Sequence, residues 1–170
     1  FTEHLWALAA VGDVNGNGNG DYALSGACYV NTWPVWIVEC VKVYEGSTGT
    51  LIRTHSTLSY ANRFYGSSFG RAGDIDHDGF ADYWVVEEVG AGANPPGTAS
   101  LIHIYSGSSG LEIRTLQGAG LWDGIWRGEP MDDIDGGGTA DLLFGGLNLP
   151  CSAGSQCGYL RSYSAETGQV

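Results

Sequence analysis

Positive charge is scarce in this 170-residue chain: 7 Lys and Arg stand against 19 Asp and Glu, a formal net charge of −12. Nothing basic is available to replace the counterions of a polyanion, which argues against nucleic acid as a partner. Attachment to an anionic membrane surface fails on the same ground. Long apolar runs are missing too. None approaches the roughly 20 residues that a membrane-spanning helix needs, and no signal-peptide pattern begins at Phe1. Because the chain starts without methionine, it is expected to be a processed or excised segment. Helical periodicity is also lacking, since apolar residues alternate with period two and predict strands. Disorder is excluded by a hydrophobic content of 43% and an aromatic content of 12%, which with 28 glycines describe a turn-rich, well-packed β protein.

What is abundant is acid at fixed spacing. Gly73 to Tyr83 reads G-D-I-D-H-D-G-F-A-D-Y, which puts Asp74, Asp76, Asp78 and Asp82 at positions 1, 3, 5 and 9 of a loop that turns on Gly79. Carboxylates this close repel one another unless a cation or separate solvation relieves them. Odd spacing around a glycine turn aims them inward, as in the first half of a calcium-binding loop, where hard oxygens gather round a hard ion. The ligand set expected here is Asp74, Asp76, Asp78 and Asp82 by side chain with the Phe80 carbonyl at position 7. A loop upstream offers Asp13, Asn15, Asn17 and Asp21 with the Asn19 carbonyl, a complete set carrying two charges and expected to bind more weakly. A third, downstream, offers Asp133, Asp135 and Asp141 with the Thr139 carbonyl. Its position 5 is Gly137, so water is expected there. Up to three Ca²⁺ ions are implied. An EF-hand or dockerin needs a carboxylate at position 12, where this chain has Leu24, Val85 and Phe144.

Asp13, Asp74 and Asp133 recur at intervals of 61 and 59 residues, and the tyrosines of V-x-V-Tyr44, I-x-I-Tyr105 and L-x-S-Tyr163 at 61 and 58. Two markers in register make an internal repeat. Each repeat reads as four strands joined by hairpins. In the first, Trp6–Val11 leads into the acidic loop, Tyr22–Leu24 leaves it, Val35–Tyr44 is a long strand, and Leu51–Thr54 follows a glycine turn. In the second, the corresponding strands are Ser67–Ala72, Tyr83–Val86, Leu101–Tyr105 and Leu111–Leu116. The third has Ile125–Arg127, Leu142–Phe144 and Tyr159–Tyr163, and lacks a fourth strand. Repeats of four strands suggest propeller blades, with boundaries near 1–58, 62–117 and 122–170.

Four cysteines flank equivalent links. Of the three possible pairings, Cys28–Cys40 with Cys151–Cys157 joins hairpin partners, and disulfides imply an oxidising, extracytoplasmic compartment.

Tyr65-Gly66-Ser67-Ser68-Phe69-Gly70 ahead of the second loop, the loop itself, and Ser25-Gly26-Ala27 after the first resemble the FG-GAP repeat of integrin α-subunits and of secreted bacterial proteins. Nearly the whole chain takes part in the resemblance, although the FG element is degraded at Gly124–Pro130. It implies an all-β, seven-bladed propeller of four-stranded antiparallel blades, with calcium in the hairpin between the first two strands of a blade. Three blades cannot close such a ring, so the rest are expected from a longer parent chain or from identical subunits.

Catalytic signals are thin. Gly66–Gly70 matches G-x-S-x-G, but a nucleophile elbow lies between a strand and a helix and no helix is foreseen. His4, His55, His77 and His103 share no metal-ligand spacing, and His77 is expected to be exposed within its loop. Trp6, Trp33, Trp36, Trp84, Trp122 and Trp126 are expected mostly to pack between blades. The reading is a non-catalytic, calcium-stabilised segment of a secreted or cell-surface protein with a structural or adhesive role toward protein or glycan. Two alternatives are a propeller module of a larger extracellular hydrolase or lyase, and a subunit that self-assembles through unpaired blade edges.

Overall fold

The structure is a computed structural model that describes residues 5–30, 36–57, 63–89, 99–121, 124–150 and 156–169. Among these residues there are eleven strands and no helix. In the first sheet β1 (Leu5–Gly12), β2 (Asp21–Val30), β3 (Trp36–Tyr44) and β4 (Leu51–Thr57) lie side by side in chain order. The second repeats the arrangement with β5 (Arg63–Gly73), β6 (Asp82–Val89), β7 (Ala99–Tyr105) and β8 (Glu112–Leu121). The third comprises β9 (Gly124–Pro130), β10 (Leu142–Pro150) and β11 (Gln156–Tyr163). All neighbours are antiparallel, as short hairpin connections require. The chain is thus all-β, with one sheet for each sequence repeat.

The burial patterns follow from how the sheets stack. In the second sheet Tyr83 faces His55 of the first, while the next residue, Trp84, packs edge-on against Phe144 of the third with ring centroids 5.1 Å apart. With a neighbour on each face, β6 is buried almost throughout, so its apolar run is continuous. Strand β1, covered on one side only, alternates between exposed and partly buried. Of the first strands of the three sheets, β5 lies against both β1 and β9. A single core runs through all three sheets, including Val11, Val41 and Val43, then Trp84, Ile102 and Ile104, then Ile125, Leu142 and Phe144.

Trp84 packs between sheets, as expected of most of the tryptophans, whereas Trp6 is 51% exposed on β1, alongside Leu5 and Leu8. Its face of the first sheet has no neighbour among the described residues. Trp33 and Trp122 lie outside the described residues. Cys28 and Cys40 are bonded across β2 and β3, with Cα atoms 5.8 Å apart. Cys157 is also in a disulfide; its expected partner, Cys151, lies outside the described residues. The G-x-S-x-G run sits inside strand β5.

Candidate metal centres

The three acidic loops join the first and second strands of their sheets, and each is folded by its own side chains. In the second loop Asp74 accepts hydrogen bonds from the amides of Asp78 (3.0 Å) and Gly79 (3.1 Å), and Asp76 accepts from Asp78 N at 3.2 Å. In the first, Asp13 accepts from Asn17 N at 3.1 Å and Gly18 N at 2.7 Å, with Asn15 accepting from Asn17 N at 3.1 Å. In the third, Asp133 accepts from Gly137 N at 3.1 Å and Gly138 N at 2.8 Å, and Asp135 from Gly137 N at 2.9 Å. Curling the chain round one carboxylate needs a left-handed residue at position 6. Gly18, Gly79 and Gly138 supply it with φ of 85°, 89° and 95°. Position 4 is also left-handed, and there the second loop carries His77 at φ 59°, the one non-glycine residue with positive φ among those described.

Oxygens converge inside these turns. Carboxylate oxygens of Asp74, Asp76 and Asp78 lie within 4.8 Å of one another, and so do those of Asp133, Asp135 and Asp141. An all-oxygen set of this kind suits a hard divalent cation and no soft one. Asp13, Asn15 and Asn17 adopt the same loop fold in the first sheet, with two neutral amides among the donors.

The ninth-position aspartates have a further task that spacing alone does not disclose. Asp21, Asp82 and Asp141 are at most 2% exposed, and each holds two pieces of backbone. One oxygen accepts from the position-2 amide: Val14 N (3.0 Å), Ile75 N (2.6 Å) and Ile134 N (2.8 Å). The other accepts from the turn that follows the third strand of its sheet: Gly46 N (2.9 Å), Gly107 N (2.8 Å) and Ala165 N (3.4 Å). Asp82 Oδ2 also accepts from Asp76 N at 3.4 Å; the other oxygens each keep a second lone pair that a cation could use. Burial pushes the Asp82 carboxyl up to about 6 against the pull of its amide donors. The exposed Asp78 is held low, chiefly by the Ser108 hydroxyl, and Asp135 chiefly by that of Ser164.

Neighbouring loops touch through position 7. The Phe80 ring lies where a side chain on Gly16 of the first loop would stand. Thr139 Oγ1 is 3.0 Å from His77 Nε2 of the second loop. Ala81 N donates to Asp13 O at 3.0 Å. His77 is exposed as expected, but it serves as a contact between loops.

Two features escaped the sequence reading. A cleft of about 590 Å³ runs between β1, β5 and β9, lined by Ala7, Ser67, Trp84 and Arg127 among others. A partly buried polar cluster joins the first two sheets. His55 Nε2 is 2.5 Å from Tyr83 OH, Tyr65 OH donates to Tyr105 OH at 2.9 Å, and His103 bridges Glu87 (3.3 Å) and Glu112 (2.8 Å). Burial pushes the Tyr65, Tyr83 and Tyr105 phenols up, so they remain protonated. The alternation His103-Ile104-Tyr105, with both polar rings on one face of β7, was the available signal. A scan against protein-family models found no match, and a search of curated proteins found no relative.

Proposed function

We propose that this chain is a calcium-stabilised, non-catalytic segment of an FG-GAP-type β-propeller from a secreted or cell-surface protein, with a structural or adhesive role toward protein or glycan. The observation that carries the reading is the recurrence of one oxygen-lined loop, identically folded, between the first two strands of every sheet. Stacked antiparallel meanders, two of four strands and one of three, with the first strand of the middle sheet against those on either side, also support it, since blades of a propeller meet in that way. The disulfide supports an oxidising compartment.

The second loop would hold calcium with Asp74, Asp76 and Asp78, the third with Asp133, Asp135 and Asp141, and the first with Asp13, Asn15 and Asn17. Bound there, the ion supplies positive charge that offsets carboxylate repulsion and couples its binding to folding. The protein's own part is to fix the donors: position-1 carboxylates curl the loops, and Asp21, Asp82 and Asp141 tie them to the rest of the sheet. Exposed apolar faces, with Leu8 68% exposed at one end of the stack and Leu160 76% at the other, suit further sheets of a parent chain or of identical subunits.

Melting the chain with excess chelator and with calcium tests the metal reading. Saturating calcium at 100 times Kd stabilises by about 2.7 kcal/mol per site, so Tm rises by several degrees. Identical melts in chelator and in calcium overturn it.

A further inference from the structure

Counted along the loops, the aspartates number two in the first, four in the second and three in the third. This looks like a decline in quality away from the middle repeat. The turn that follows the third strand changes the comparison, because in every sheet it leans over position 5 of its own loop. In the second sheet, Ser108 of the turn donates its hydroxyl to Asp78, the position-5 carboxylate. In the first, position 5 is the neutral Asn17, and its amide donates to Glu45 Oε1 of the turn at 2.5 Å. In the third, position 5 is Gly137, and Glu166 of the turn brings Oε2 against the point where a Cβ on Gly137 would stand; that point is itself 3.0 Å from Asp135 Oδ1. Glu166 and Ser108 hold the same place in their turns, two residues after Ser164 and Ser106, whose amides close those turns by donating to Gln169 O and Leu111 O.

Chemistry is therefore exchanged between loop and turn. Where the loop brings a carboxylate to position 5 the turn brings a hydroxyl, and where the loop brings an amide or no side chain the turn brings a carboxylate. No side-chain or backbone donor among the described residues meets the Glu166 carboxylate. It nevertheless sits beside Asp135, where two like charges repel. Its backbone is held in place from the neighbouring sheet, since the Arg114 guanidinium donates to the carbonyls of Glu166 and Thr167.

On the reading of the loops as calcium sites, we propose that Glu166 is the fourth carboxylate ligand of the third site, standing in for the side chain that Gly137 lacks, and that Glu45 plays the corresponding charge-supplying part beside Asn17 in the first. The third site then needs no water at position 5 and carries as many acids as the second. Its ligands come from two hairpins, so binding there fastens the outer turn to the loop as well as closing the loop itself.

Calorimetric calcium titration of the chelator-stripped, full 170-residue chain tests this, with Asp133→Asn used to identify the third site's share of the isotherm. Glu166→Gln is expected to weaken that site roughly tenfold or more and to leave the other two unchanged. Gly137 is not in the left-handed region, so Gly137→Asp combined with Glu166→Gln is expected to restore the site by moving the carboxylate back into the loop. Glu166 is exposed, and the melting curve of Glu166→Gln in chelator should match that of the wild type, which separates loss of a ligand from loss of the fold. Unchanged third-site affinity in Glu166→Gln overturns the assignment and leaves the calcium reading standing, as does a double variant as weak as the single one. A wild-type isotherm identical to that of Asp133→Asn shows that the third loop takes no calcium, and the Glu166 assignment falls together with the third site of the proposed function.

Discussion

Two joints hold the three sheets together, and they share a geometry while differing in chemistry. At the first, His55 of β4 stacks on Tyr105 with ring centroids 4.1 Å apart, and polar groups of β6 and β7 gather round it. At the second, the residue 61 positions after His55 is Leu116, and the principal contact is Trp84 against Phe144. Both keep an arginine two residues earlier. Arg53 donates to Ser106 O at 3.1 Å and Gly107 O at 2.5 Å, and Arg114 donates to Glu166 O and to Thr167 O at 2.9 Å. The constant part of the joint is thus an arginine grasping the next sheet's turn, for which a planar, multiply donating guanidinium is suited. The filling behind it is free to be polar or apolar.

The largest effect should come from emptying the apolar joint. Phe144 is fully buried, edge-on to Trp84 and, at 5.9 Å between centroids, to Tyr163, and its ring occupies the space where a Gly128 side chain would stand. Phe144→Ala is expected to cost about 3–5 kcal/mol, read as a lowered midpoint of denaturant unfolding at unchanged slope. At the polar joint, Tyr105→Phe removes only the hydroxyl that accepts from Tyr65 and should cost about 1 kcal/mol. Equal costs would abolish the distinction between the joints.

Next in size is the shared arginine. Arg53→Ala and Arg114→Ala are each expected to cost about 1.5 kcal/mol, the lower end for hydrogen bonds from a charged donor, because both side chains are partly exposed. The two act at different joints, so the double variant should show nearly additive losses in the same unfolding measurement. A cost confined to one of them would mean that the grasp is particular to that joint.

Much of this architecture was legible before any coordinates. Period-two alternation marked the strands, the aspartates marked the hairpins between first and second strands, and Leu51-Ile52-Arg53-Thr54 was visible as a strand. That Arg53 reaches Ser106 was not, because the contact joins sheets 53 residues apart and leaves no local pattern. The same applies to Asp82, whose spacing marks it as a ligand while the burial that gives it a second role comes from Gly107, 25 residues on. Glu166 lay in a segment read only as a turn. Trp6, 51% exposed, could not be told from Trp84 in the sequence, because an aromatic on a strand carries no mark of whether the sheet's outer face is covered.

The smallest predicted effect distinguishes the joints by pH. Burial holds His55 down at about 4, with the nearby charge of Arg53 acting in the same sense, so the folded state keeps it neutral. Its unfolded value is near 6.5. Stability from this group is therefore present above about 6.5 and drains away as pH falls toward 4. His103 behaves oppositely. Burial disfavours its charge, but hydrogen bonds to Glu87 and Glu112 outweigh this and raise it above 6.5. Its contribution is complete below 6.5 and is lost as pH rises through the raised folded value. Glu39, which accepts from Tyr65 N and feels Glu87, is pushed up by burial, so acid favours the folded state there and opposes part of the His55 loss. The polar joint should therefore give a stability maximum between two limbs, whereas at the other joint Leu116 stands where His55 does. Tm measured against pH in chelator should show that His55→Leu, which copies Leu116, flattens the acid limb relative to wild type, and that His103→Gln flattens the alkaline one. An acid limb that survives His55→Leu unchanged would place its origin in the loop carboxylates, and the two joints would then be alike in their response to protons.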